Sequence, residues 1–238
     1  MTKPIRSLNV KYVFHSMKFI SFHFLLLCIL FSCQSENELP AIKPSEQKTL
    51  NLTVDGIERN FLLYLPKGYD NAGSLSLIYV LHGGTGTPEG MLRLADFRPI
   101  ADREKIALVY PAGIQKNWND GRPTTPNKLG IDDVNFFNKT TDFLIENYSI
   151  DPSKVYATGI SNGGFMTSRL GCQLSSKIAA IAVVAASMEA NTIAPDCSPG
   201  LAVPALYIHG TLDPLVPLVY TRLRIVVPSL AASSRSVI

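Results

Sequence analysis

The chain has 238 residues, 46% of them apolar and 17% charged, with a formal net charge of +3; this is ordinary for one globular domain with a sizeable core. The positive balance belongs to the ends. Residues 1–33 hold four Lys/Arg and residues 218–238 hold three, with no acid in either, whereas residues 34–217 hold 15 Lys/Arg against 19 Asp/Glu. A net of −4 over the central part argues against a nucleic-acid partner, which needs clustered basic residues in the folded region.

Residues 1–16 add nothing that an export signal requires and read as an upstream extension, with Met17 as a second candidate start. Lys18 and the apolar run Phe19–Phe31 have the layout of a secretory signal, shorter than the ~20 residues of a spanning helix. Residues 17–33 therefore form the expected signal, and export to the extracellular side or cell envelope follows. The run closes on Leu30-Phe31-Ser32-Cys33, which resembles a bacterial lipobox and makes Cys33 the lipidated residue. Membrane attachment is then through a lipid anchor only; a plain secretory signal is the alternative. Residues 34–48 are polar, with Pro40 and Pro44, and read as a linker.

The domain is expected over 49–217. Thr49–Val54 alternates apolar and polar residues, Asp55-Gly56 supplies a tight turn, and Ile57–Leu65 is a second extended run, which together make a β-hairpin. Leu75–Leu81 and Ile106–Tyr110 are continuous apolar runs, as expected of strands buried on both faces. Val134–Tyr148 carries an apolar stripe at helical spacing, with Asp132 or Asp133 as N-cap rather than a metal pair. Val155–Ile160 is a strand, Gly163–Leu170 a helix, and Ala179–Ala186 and Ala205–His209 two further strands. Alternation of this kind implies an α/β fold, a mostly parallel sheet covered on both faces in three layers. Cys172 and Cys197 lie inside the domain, where export permits a disulfide closing a loop of about 25 residues; two free buried thiols are the alternative.

Gly159-Ile160-Ser161-Asn162-Gly163 is a G-x-S-x-G motif set between a strand and a helix, the context in which a sharp turn projects the serine above the strand ends. Ser161 is the expected nucleophile. An ester attacked there becomes an oxyanion, and the N–H of Asn162 and one from the His82-Gly83-Gly84-Thr85 loop, Gly84 or Thr85, are the candidate donors. His82 itself reads as structural.

These motifs, with Trp118-Asn119-Asp120-Gly121-Arg122, Asp132-Asp133-Val134, Asp151-Pro152 and Ile208-His209-Gly210-Thr211-Leu212-Asp213-Pro214, resemble the secreted polyhydroxybutyrate depolymerase-like esterases, a group that includes feruloyl and acetyl xylan esterases of the α/β-hydrolase fold. The resemblance spans about 170 residues in order. It implies an acyl-enzyme on Ser161, Asp213 as the acid that orients a catalytic histidine, Trp118 and Asn119 in a substrate-side loop, no metal or organic cofactor, a monomer, and a polymeric or polymer-derived ester as substrate. A serine peptidase on the same fold and a non-catalytic surface lipoprotein that binds polysaccharide or polyester are the alternatives.

One departure stands out. The resemblance places the histidine downstream of the acid, yet this sequence has only His15, His23, His82 and His209, and none follows Asp213. The catalytic histidine is missing. Residues 218–238 contain no Asp, Glu or Gly and carry three arginines and four serines. Their composition breaks abruptly from the domain and reads as an out-of-frame tail, with the fold expected to be truncated before its final strand and helix.

Overall fold

Asp55 and Gly56 adopt φ of 53° and 78°, the paired left-handed geometry of a two-residue hairpin turn whose twist matches that of the strands beside it. Strands β1 (Glu46–Val54) and β2 (Ile57–Leu65) leave it in antiparallel register, with Val54 opposite Ile57 and Glu46 opposite Leu65. β1 thus begins inside the expected linker. Glu46 and Lys48 take inward positions of the strand and satisfy each other at 2.9 Å, so their polarity concealed the strand period.

The computed structural model describes residues 43–69 and 74–217, all within one compact unit of the chain. The expected signal at 17–33, with Cys33, and residues 218–238 lie outside the described residues. Among those described, no helix is long and apolar enough to cross a membrane.

Five more strands complete the sheet: β3 (Leu75–Leu81), β4 (Ile106–Pro111), β5 (Ile150–Ile160), β6 (Ala180–Val184) and β7 (Ala205–Ile208). Their order is β1-β2-β4-β3-β5-β6-β7, antiparallel across β1, β2 and β4 and parallel from β4 onward. Leu77, Tyr79, Leu81 and Val109 point into one core cluster, and Val80, Leu108 and Tyr110 into the other. Burial on both faces explains why these strands are continuously apolar.

Helices α4 (Asp133–Tyr148) and α5 (Asn162–Gln173) fill one face; α1 (Pro88–Leu94) and α2 (Arg98–Glu104) cover part of the other, and α3 (Thr125–Lys128) is a single turn. α1 and α2 have seven residues each, too few for a helical stripe to show in the sequence. Thr87 nonetheless caps α1 by accepting the Gly90 N–H, with Pro88 in the first turn.

Asp132 caps α4 by accepting the Asn135 N–H at 2.9 Å. Asp133 turns inward instead, fully buried, where it meets the Arg59 guanidinium at 2.7 Å and accepts the Asn119 N–H at 2.7 Å. Burial pushes its carboxyl above the usual range, opposed by Arg59 and the Asn119 N–H. Arg59 also stacks on Phe136, 4.0 Å from the ring centre. The pair joins β2 to the head of α4. Asp133→Ala leaves the Arg59 charge buried and unpaired, a loss expected to cost about 3–5 kcal/mol in urea unfolding; a change under about 1 kcal/mol would show the pair to be dispensable.

Candidate active site

β5 ends at Ile160 and α5 begins at Asn162, which leaves Ser161 alone to make the turn. It does so at φ 53° and ψ −122°, a conformation that costs an L-residue on the order of 1–3 kcal/mol and persists only where its surroundings enforce it. Here the Ser161 N–H donates to the Val184 carbonyl at 3.0 Å, and its own carbonyl accepts the Phe165 N–H at 2.9 Å. The packing is close enough to require glycine. A Cβ at Gly159 would lie 2.5 Å from the Gly163 carbonyl oxygen, and one at Gly163 would lie 2.4 Å from that of His82.

The loop after β3 passes directly across this turn. A Cβ on Gly83 would lie 3.6 Å from the Ser161 Cβ, and one on Gly84 would lie 3.8 Å from the Asn162 Cβ. Ser161, Asn162 and Gly84 line one pocket of about 470 Å³ together with Asn117, Arg122, Pro123 and Thr124. Among the described residues the N–H groups of Gly84 and Asn162 have no hydrogen-bond partner, and neither has Ser161 Oγ. Thr85, at φ 62°, does not line the pocket.

His82 holds this loop from behind. Its Nε2 can only accept from the Gly113 N–H, at 3.0 Å, so Nδ1 carries the proton and donates to the Gly83 carbonyl at 2.7 Å. Burial lowers its pKa, and the ring stays neutral. Trp118 and Asn119 belong to the loop that lines the pocket, but their own side chains pack inward: Trp118 is fully buried against His82 and Phe137, with its indole N–H on the His82 carbonyl at 2.9 Å, and Asn119 is buried with its amide on the Ile131 carbonyl at 2.7 Å. The large aromatic surface is worth more in the core than in a wet cleft.

The side chain of Asn162, as opposed to its backbone, escaped the sequence reading. Its Oδ1 accepts the Trp118 N–H at 2.8 Å, while Nδ2 donates to the Trp118 carbonyl at 3.2 Å and to Asp120 at 2.6 Å. Asp120 is fully buried and also accepts from Arg122 through the backbone N–H, Nε and Nη2, at 3.0, 2.9 and 2.5 Å. Behind this loop, Thr192 donates to the Gly121 carbonyl at 3.0 Å, and the Cys172–Cys197 disulfide ties the 185–197 segment to α5. The only advance signal was the density of polar residues in Asn119-Asp120-Gly121-Arg122.

A solved structure of a cold-adapted esterase from an Arctic intertidal metagenomic library matches 75% of this chain and 79% of its own, with a TM-score of 0.55 at 17% identity. Its likeness, with the strand order and the strained turn at Ser161, decides the architecture. The fold is that of an α/β-hydrolase. By sequence the chain is 34% identical over 142 residues to a Nocardia uniformis subsp. tsuyamanensis protein assigned as an esterase, and 26% identical over 178 residues to feruloyl esterase D of Neurospora crassa. These matches cover 59% and 70% of this chain but 41% and 57% of the two relatives, so the chain spans about half the length of the curated relatives it matches. The model of the prolyl oligopeptidase family matches residues 118–196.

In this α/β-hydrolase fold, Asp213 follows β7, two strands along the sheet from the end of β5. Its Oδ1 accepts the Val216 and Leu215 N–H groups, both at 2.9 Å, and these hold its carboxyl below the ordinary range. Its Oδ2 lies 3.6 Å from His209 Nε2, which meets the Val216 carbonyl at 2.6 Å. Neither residue lines the Ser161 pocket, and no histidine among the described residues does.

Strain at Ser161 is measurable. Ser161→Gly relieves the left-handed φ and gives back part of the gain through a looser unfolded chain, for a net rise of about 1 kcal/mol in folding stability. A lower denaturant midpoint at unchanged slope would show that the turn is not strained.

Proposed function

We propose that the domain is a serine carboxylic-ester hydrolase. One observation carries the reading: a strained serine shares a pocket with Gly84 and Asn162, whose N–H groups have no partner among the described residues. Ser161 Oγ bonds to the ester carbonyl carbon as its proton leaves to a base. The carbonyl oxygen takes the negative charge and is received by the two N–H groups, each worth roughly 3 kcal/mol in such a role. Collapse expels the alcohol and leaves an acyl-Ser161, which water then cleaves by the same steps. No metal or organic cofactor enters.

Asp213 is the acid of this scheme, and the base it orients is an imidazole. These 238 residues carry no histidine after His209, so hydrolysis by them runs about 10⁶-fold below that of a complete triad. The relatives named as esterases, with the expected export signal and Cys33 anchor, favour an extracellular substrate, an ester on polysaccharide or polyester, with feruloyl or acetyl esters of cell-wall polymers ahead of polyhydroxybutyrate. The prolyl oligopeptidase match favours a second reading, a peptidase. Residues 118–196 hold the elbow and the loop facing it, parts that serve either bond.

An alkyl fluorophosphonate in imidazole buffer, which stands in for the base, should place one phosphonyl group on Ser161 of the wild-type chain and none on Ser161→Ala, as read by intact mass and peptide mapping. No adduct, or one elsewhere, would overturn the ester-hydrolase reading and leave a binding protein. Faster imidazole-assisted release from an anilide than from the phenyl ester of the same acyl group would move the assignment to peptidase.

A further inference from the structure

Among the described residues, Arg122 is the single charged side chain lining the Ser161 pocket. Its ion pair with Asp120 is unevenly placed: the carboxylate is fully buried and the guanidinium side chain is 33% exposed. Asp120 is also stabilised by the Asn162 carboxamide and by the Arg122 backbone N–H, so part of its charge is met by dipoles other than the guanidinium. The member of the pair that lines the pocket is the guanidinium. Nε and Nη2 are both spent on Asp120, while Nη1 has no partner among the described residues. Phe165 holds the plane from below, 3.7 Å from the guanidinium carbon to the ring centre. A guanidinium fixed on two sides loses little freedom when it takes another acceptor, and an anionic acceptor makes a bond roughly twice as strong as a neutral one.

The N–H groups of Gly84 and Asn162 are left for the ester carbonyl, and the neighbouring polar side chains are engaged elsewhere. The Asn117 amide is turned to the Gln115 carbonyl at 2.9 Å, and the Thr124 hydroxyl to the Trp118 carbonyl at 2.9 Å. Among the described residues no acid lines the pocket to repel an anion.

We infer that Arg122 is a specificity-determining residue that selects substrates bearing a carboxylate close to the scissile ester, the class of esters of acidic saccharides. The inference rests on the ester-hydrolase reading for its substrate class, but the recognition itself is a binding event that needs no nucleophile. The carboxylate is received by Nη1, and the ester is thereby held in the pocket that Arg122 shares with Ser161, Gly84 and Asn162. Asp120 and Asn162 act as positioning residues, since Asn162, next to Ser161, holds Asp120 and Asp120 holds Arg122.

The test compares glucuronate with glucose, which differ by a carboxylate in place of a hydroxymethyl group. Binding to the full chain is followed by titration of ligand NMR signals and of the Arg122 Nε–H resonance, assigned by its loss in Arg122→Lys. Glucuronate should bind at least about tenfold more tightly than glucose, shift that resonance, and weaken as salt is added. Arg122→Gln should erase the difference, and Arg122→Lys, which keeps charge without the fork, should retain part of it. Equal binding of the two sugars, no binding of glucuronate, or an undiminished preference in a folded Arg122→Gln would overturn the inference; the wild-type comparison decides even if the variant fails to fold. Ser161→Ala should keep the preference. Its survival alongside failed phosphonate labelling would sink the hydrolase reading alone, whereas labelling without any preference would sink this one alone.

Discussion

The Asn162 carboxamide makes three hydrogen bonds, and the shape of the site follows from them. Two pair it with the N–H and carbonyl of Trp118, as one peptide unit pairs with another across a sheet. The third reaches the buried Asp120. A single side chain adjacent to Ser161 thus sets the position of the 117–124 loop, which has no strand or long helix of its own to fix it. Buried polar groups of this kind act as a unit, because removal of one member leaves the others without partners in a low-dielectric setting. Trp118 extends the network to the opposite loop through its indole N–H on the His82 carbonyl, so both walls of the pocket are referenced to one residue.

The hairpin, the five further strands and both long helices were legible in the sequence because each obeys a simple period or a continuous apolar run. What the sequence concealed has physical causes. Glu46 and Lys48 face inward on β1 and neutralise each other, which a hydrophobic pattern scores as linker. α1 and α2 are too short for their periodicity to emerge from noise. The elbow was visible because its glycines are sterically compelled, as the 2.4 Å approach of a Gly163 Cβ to the His82 carbonyl shows.

The opposing wall was read less well. A lone tryptophan in a loop near a serine motif invites assignment to substrate, yet Trp118 is buried against His82 and Phe137. Its chain neighbours Asn117 and Arg122 line the pocket instead. Alternation of buried and open positions along an irregular loop follows no fixed period, and partners such as Asn119 and Ile131, or Asn162 and Asp120, lie too far apart in sequence for spacing to announce them. Only the three-dimensional path decides which residue of Trp118-Asn119-Asp120-Gly121-Arg122 faces which way.

The dipeptide Asn162-Gly163 carries a liability as well as a role. In a mobile chain, an asparagine followed by glycine is the sequence most open to attack by the next backbone nitrogen on its carboxamide, because no side chain shields that nitrogen. Here Asn162 is buried, its carboxamide is held by three hydrogen bonds, and its backbone belongs to the first turn of α5, so the cyclising geometry is out of reach while the domain is folded. Each opening of this segment exposes it to deamidation, and the aspartate produced would face Asp120 as a like charge on refolding. Chemical ageing of the molecule is therefore governed by the opening rate of its own elbow, and damage accumulates as a clock of unfolding events.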